Sequence, residues 1–434
     1  MFQSNKHRPR VDRFVTPRES FPELHRRALW KTNKERPADI WNGKYLKHKK
    51  YINYIDEALG LEPLSSESPS QPAWPCIPRK KCYLSTADSI LDLPTYSSAT
   101  FPELLDWSSD NILIAALGRN YHKWSWHSQS LIAQGFTDFT IFCCKYDPRG
   151  ELLLIGTDLG MVEIHDNALT KCIYGNACQC LEKKDQDCEI TAVDWSPTGN
   201  SFVAGCSRGK LTSFSRRAVT IEWVQAVVDG TAVLTVRVSP DARFVAASSV
   251  DGDGVTVLTW PALELYSRLR SVWSTLAWHP WRSALLAIGS ITPNLQARLA
   301  VWDAPSDKVQ QASQYRTAAN TTYCLDTMLF SKKTGELVLS LWNSDNQTNQ
   351  TSSLLAVLSD PETIVDQYGE GGLDRVRTMV FSPDGTKLAT ATADEDLIIW
   401  NFLPEDRLKK KVTCRRFSSL PVYLDNTEYG YSVR

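Results

Sequence analysis

The sequence predicts an all-β fold, a seven-bladed β-propeller with a basic N-terminal arm and a short C-terminal tail. Three observations carry that prediction. A short aromatic-Ser-Pro-x-Gly-like turn returns seven times along the chain. Each turn is followed by a strand ending in small residues, a polar turn and a further β-branched strand. Hydrophobic residues make up 42% of the chain and tryptophan occurs 15 times, enough to fill an aromatic-rich sheet interior.

The turns, in order, are Trp107-Ser108-Ser109-Asp110, Tyr146-Asp147-Pro148-Arg149-Gly150, Trp195-Ser196-Pro197-Thr198-Gly199, Val238-Ser239-Pro240-Asp241, Trp278-His279-Pro280-Trp281, Phe330-Ser331-Lys332-Lys333-Thr334-Gly335 and Phe381-Ser382-Pro383-Asp384-Gly385. Their spacing of roughly 40–50 residues is the period of propeller blades of the WD-repeat type. Proline presets φ at the second turn position, and glycine accepts φ > 0. A lone four-stranded blade cannot bury its two faces. Radial stacking buries them, and closing the ring protects the edges. Arg298–Asp303 and Leu397–Asn401 read as blade-closing strands. The last strands of blades two and three are the least distinct.

Residues 88–405 are assigned to the propeller, 1–87 to the arm and 406–434 to the tail. The arm is rich in Arg, Lys, Pro and Ser. With its Ser65-Ser66-Glu67-Ser68-Pro69-Ser70-Gln71-Pro72 tract, it reads as largely disordered when alone. The net charge of −1 conceals a basic arm and a mildly acidic body. A body of that sign excludes whole-molecule nucleic-acid binding and favours partners that present Lys and Arg. No apolar run reaches the ~18 residues of a membrane span, and the charged N-terminus lacks a signal core. No membrane association is expected, and the expected location is cytoplasmic, with a nuclear pool allowed. The 11 cysteines should then be reduced. Cys172, Cys178, Cys180 and Cys188 lie close in sequence, but their spacing matches no common zinc knuckle. They read as a loop plus small core residues, with no metal expected.

The sequence contains no Gly-rich phosphate loop, no HExxH and no GxSxG elbow, so no catalytic residue and no cofactor is assigned. Asp194 and Asp326, near blade turns, read as turn caps or hydrogen bonds within a blade. A propeller without a catalytic cluster is a recognition surface.

Three stretches make the match more specific. Leu104-Leu105-Asp106-Trp107-Ser108-Ser109-Asp110-Asn111-Ile112-Leu113-Ile114-Ala115-Ala116-Leu117-Gly118, preceded by Ile90-Leu91-Asp92-Leu93-Pro94, closely resembles the first blade of the Fizzy and Fizzy-related family. Ala277-Trp278-His279-Pro280-Trp281-Arg282-Ser283-Ala284-Leu285-Leu286-Ala287 resembles its fifth blade. Asp374-Arg375-Val376, with Phe381–Gly385 and Thr392-Ala393-Asp394-Glu395, is similar to its seventh. The family's arm carries a ligase-docking C box of the form Asp-Arg-aromatic-aliphatic-Pro-x-Arg. Here Asp12-Arg13-Phe14-Val15-Thr16-Pro17-Arg18 keeps the acid, both arginines and the aromatic, and its proline stands one place later. The family chain ends in Ile-Arg; this one ends in Val433-Arg434. A terminal arginine offers a guanidinium fork and a carboxylate to one small pocket. The arm is short and lacks the family's Lys-aliphatic-Leu-Arg checkpoint-binding segment, as expected of a specialised, diverged meiotic member.

The resemblance implies an adaptor that is not an enzyme. Its partners would be subunits of the anaphase-promoting complex, a ubiquitin ligase, and degron-bearing substrates such as cyclins. Destruction boxes, Arg-x-x-Leu, would bind between blades one and seven. Asp106 and Glu395 would hold the arginine, and Leu105 would line the leucine pocket. A Lys-Glu-Asn degron would meet Thr292 and Arg375 on the top face, with Asp251 and Asp253 in place of the family's two asparagines. An aspartate only accepts hydrogen bonds, whereas an asparagine also donates. Destruction boxes are therefore expected to be read in preference to Lys-Glu-Asn motifs. Two alternatives remain: a scaffold propeller of another complex, or a ligase-docked competitor that reads no degron.

Overall fold

The computed structural model describes residues 73–403, apart from short stretches at 86, 97–102, 179, 181–186, 218–219, 229–231, 251–253, 271–274, 292–296, 315–323, 346–349 and 370–372. Seven four-stranded antiparallel sheets form the seven blades. In the first six, the strands hydrogen-bond in chain order from an inner to an outer strand. Each aromatic turn singled out above ends an inner strand, as at Leu105–Trp107, Ile141–Tyr146 and Ile190–Trp195. Blade seven is closed differently. Its outer strand is Ala87–Asp92, from the start of the propeller, paired with Asp396–Asn401 from its end. The ring is thus shut by hydrogen bonds between an early strand and the last one.

Two expectations change. Arg298–Asp303 and Leu397–Asn401 lie in third strands, not closing ones. An outer strand follows at Lys308–Gln314 in blade five, and Ala87–Asp92 supplies it in blade seven. The third strand is the more apolar because both its faces are covered. The outer strand is mostly exposed, as in Ser130–Phe136 and Lys171–Ala177.

The expected arm–propeller boundary at 88 falls one residue inside the closing strand, and residues 73–85 are packed against the ring. Trp74 is fully buried, with its ring edge-on to Phe330 at 5.4 Å. Ile77 N–H donates to Thr334 O at 2.7 Å. The Arg79 guanidinium is fully enclosed. It pairs with Glu336 at 2.9 Å and Asp366 at 2.8 Å, and lies 4.1 Å over the Phe402 ring. This segment ties the chain start to blades five, six and seven.

The core is a set of apolar clusters between neighbouring blades. One joins blades one, two and seven through Leu105, Trp107, Ile114, Ile155, Leu397 and Ile399. Inner strands have one edge facing the central channel, and carboxylates satisfy part of it. Asp106 Oδ2 accepts the Tyr146 N–H at 2.7 Å, and Asp194 Oδ2 accepts the Val238 N–H at 2.7 Å. Asp194 also meets Lys145 Nζ at 2.6 Å, and Asp326 meets Arg375. Asp194 and Asp326 therefore link successive blades instead of capping turns within one. The inner-edge N–H groups of Tyr146 and Val238 thereby find acceptors in the preceding blade.

Candidate functional site

An antiparallel blade places the turn after its inner strand at one end and the turn between its second and third strands at the other. Asp106 stands one residue short of the former, in the inner strand of blade one. Glu395 stands in the latter, in blade seven, at φ 67°. The two carboxylates assigned to one guanidinium are therefore carried at different levels of the ring. The Asp106 carboxyl is committed to the Tyr146 N–H. Burial pushes its pKa up, with Lys145 opposing. Leu105 is buried in the cluster between blades one, two and seven.

The structure brings a different acidic segment alongside Glu395. Asp92 lies at the end of the closing strand, directly opposite Asp396, with Leu91 opposite Leu397. The next residue, Leu93, donates its N–H to Glu395 O at 2.6 Å. Asp92 is exposed, and Leu91 is half-buried against the cluster that contains Leu105. Asp374 and Asp394 complete an acidic group at this end of the seam. Repulsion from Asp374 is the main reason Asp394 titrates above its ordinary value. The placing of Asp92 one residue from the Leu93–Glu395 hydrogen bond follows from ring closure. Asp92 stands over 300 residues before Glu395, and only the strand exchange brings the two segments together. The legible signal was the Ile90-Leu91-Asp92-Leu93-Pro94 stretch, already quoted for its resemblance but not assigned to the site.

Arg375, expected on the top face, is held in place. Its guanidinium bonds both oxygens of Asp326, Nη2 to Oδ1 at 2.9 Å, and lies 3.9 Å over the Trp342 ring. Burial opposes its charge, and Asp326 more than restores it, leaving the pKa raised. Thr292, Asp251, Asp253, Asp12, Arg13, Phe14, Arg18, Val433 and Arg434 lie outside the described residues.

This arrangement suits an extended basic peptide. The acidic seam can take one guanidinium, while Leu91 turns to the other face of the strand, against the core cluster. Charge-assisted bonds of that kind contribute about 1.5–3 kcal/mol each.

Comparison with known proteins places the chain. Residues 367–401 match the family model described as WD domain, G-beta repeat. The chain is 60% identical to Protein cortex of Heliconius erato, over 99% of this chain and 98% of that one. It is 26% identical to Protein FIZZY-RELATED 1 of Arabidopsis thaliana, over 77% of this chain and 66% of that one. The fold matches a chain in a solved structure titled Crystal Structure of Mitotic Checkpoint Complex. The TM-score there is 0.60 at 20% identity, covering 79% of this chain and 99% of that one. With near-complete coverage at that level of identity, the chain belongs to the cortex family of WD-repeat cell-cycle proteins, distant relatives of the Fizzy-related proteins.

Proposed function

We propose that the chain is a substrate-recruiting adaptor of the anaphase-promoting ubiquitin ligase, and that it takes the arginine of a destruction box at the seam between blades seven and one. The observation that carries this reading is the strand exchange that sets Asp92 opposite Asp396 and joins the next residue, Leu93, to Glu395 at the acidic end of the closing strand. The distant likeness to Fizzy-related proteins supports it. The arm motif at Asp12–Arg18 and the Val433-Arg434 end would dock the chain on the ligase. The propeller would hold the substrate, so its lysines reach a high effective concentration near the ubiquitin-charged enzyme without bond chemistry by the adaptor. A single short motif binds weakly once its ordering cost is subtracted, and the ligase supplies the second contact.

A titration of a fluorescent Arg-x-x-Leu peptide tests the site. Asp92→Lys with Glu395→Lys should abolish binding at concentrations where the parent saturates, because facing like charges repel by several kcal/mol. Equal affinity of parent and variant would place the site elsewhere. Asp106→Lys separates the two assignments: loss of binding in that variant alone, with the fold intact, would return the arginine pocket to Asp106. A second reading, a docked propeller that reads no degron, is favoured by one feature. Asp106 and Arg375 both already have partners within the ring. Absence of peptide binding by the parent would select it.

A further inference from the structure

We propose that Cys178, Cys180, Cys188 and Cys206 form a tetrahedral four-thiolate zinc site that clamps blade two to blade three. Cys178 and Cys180 follow the outer strand of blade two, Lys171–Ala177. Cys188 precedes the inner strand of blade three, Ile190–Trp195, and Cys206 ends that blade's second strand, Ser201–Cys206. Three separate segments thus deliver four buried sulfurs to one point, all within 4.8 Å of one another. Cys180 Sγ and Cys206 Sγ stand 4.0 Å apart.

The geometry selects a single tetrahedral metal ion, for which four thiolates make zinc the first choice. A disulfide needs sulfurs about 2.05 Å apart. Zn–S bonds of about 2.3 Å in a tetrahedron put sulfurs about 3.8 Å apart, close to the observed spacing. A polynuclear iron–sulfur cluster would hold its ligand sulfurs farther apart than this group allows. Thiol packing alone gives no reason for four cysteines to converge from three segments.

The turn after Cys206 is also built to stabilise sulfur as an anion. The backbone N–H groups of Arg208 and Lys210 point at the Cys206 sulfur. Those N–H groups converge because Gly209 adopts φ +69° in the turn. Zinc entry would release one proton to water from each thiol still protonated, and the backbone donors would remain on the sulfurs.

Closeness in sequence grouped Cys172, not Cys206, with the other three, and no metal was expected of that group. Cys172 lies exposed in the outer strand of blade two, with its thiol on Tyr174 O at 3.2 Å, outside the cluster. Cys206 sits 18 residues beyond Cys188 and joins only because the second strand returns to the same end of the blade.

The test uses the full chain, purified under reducing conditions without chelator. Elemental analysis should give about one zinc per chain. Cys206→Ser and Cys188→Ser should lower that content roughly tenfold or more, while Cys172→Ser leaves it unchanged. Should the serine variants fail to fold, cobalt exchange into the parent decides the matter. Four thiolates on one cobalt give an intense sulfur-to-metal charge-transfer band and tetrahedral ligand-field absorption. Folded parent that contains no zinc and develops no such band overturns the site. So does recovery of a disulfide among these cysteines, or of iron with inorganic sulfide.

Discussion

His279 shows how a residue that looks chemical can be structural. Its Nδ1 accepts the N–H groups of Trp281 at 3.1 Å and Arg282 at 3.0 Å, so Nδ1 carries no proton. Nε2–H donates to Pro75 O at 2.9 Å, fastening the 73–85 segment to blade five. Burial is the main cause that brings its pKa from 6.5 down to about 4. Protonating Nδ1 would break two hydrogen bonds. The sign follows directly. Below pH 6.5 the unfolded chain binds a proton that the folded chain refuses, so stability falls as pH drops, until about pH 4. The loss is on the order of 2–3 kcal/mol at most. Urea unfolding from pH 7 to 4 should show His279→Gln losing less stability than the parent. Parallel pH profiles would remove His279 from the account. Neither the proton assignment nor the Pro75 contact was legible in the sequence, because the histidine's partner lies 204 residues away.

At the scale of the element, the small residues at the ends of second strands were legible, and the structure gives their cause. Gly156 ends the second strand of blade two, against the inner strand of blade three. A Cβ there would stand 2.5 Å from Ile190 Cγ2 and 2.6 Å from Cys143 Sγ. Gly205 meets Val233 of blade four in the same way. The β-branched partners hang from fixed backbone and cannot retreat. Gly156→Ala gains about 0.4–1 kcal/mol by restricting the unfolded chain. It loses about 1–3 kcal/mol to overpacking, so net destabilisation is expected. Gly175→Ala, in the outer strand of the same blade, meets only Met161 Cε at 3.8 Å. It should be neutral or slightly stabilising. Denaturation midpoints of the two variants check this; a Gly156→Ala protein as stable as Gly175→Ala would contradict interlocking at that seam. The aromatic turns were equally legible, since each is a local sequence event. The third strands were mistaken for last ones because apolarity marks double coverage, not position in the blade.

On the scale of the whole molecule, the account rests on closure. Ala87–Asp92 completes blade seven and sets Asp92 opposite Asp396, and residues 73–85 fasten the chain start to the ring. Arg79→Ala would leave the Glu336 and Asp366 carboxylates buried without their cation. Losing one partner of such a pair destabilises by about 3–5 kcal/mol. A clear fall in melting temperature is expected, and an unchanged one would mean that the segment does not hold the ring. Closure also explains what sequence reading could not reach. Asp92, Arg79 and Cys206 each act through neighbours that are remote along the chain, whereas the blades themselves repeat locally.

The most direct measurement of the central claim is co-purification from dividing germ cells with the tagged full chain as bait. Subunits of the anaphase-promoting complex should be recovered with the parent. Recovery should fall roughly tenfold, about 1.4 kcal/mol, in a chain carrying Arg13→Ala and lacking Val433-Arg434, with the propeller still folded. A parent chain that recovers no ligase subunit would contradict the adaptor account, whatever the seam binds.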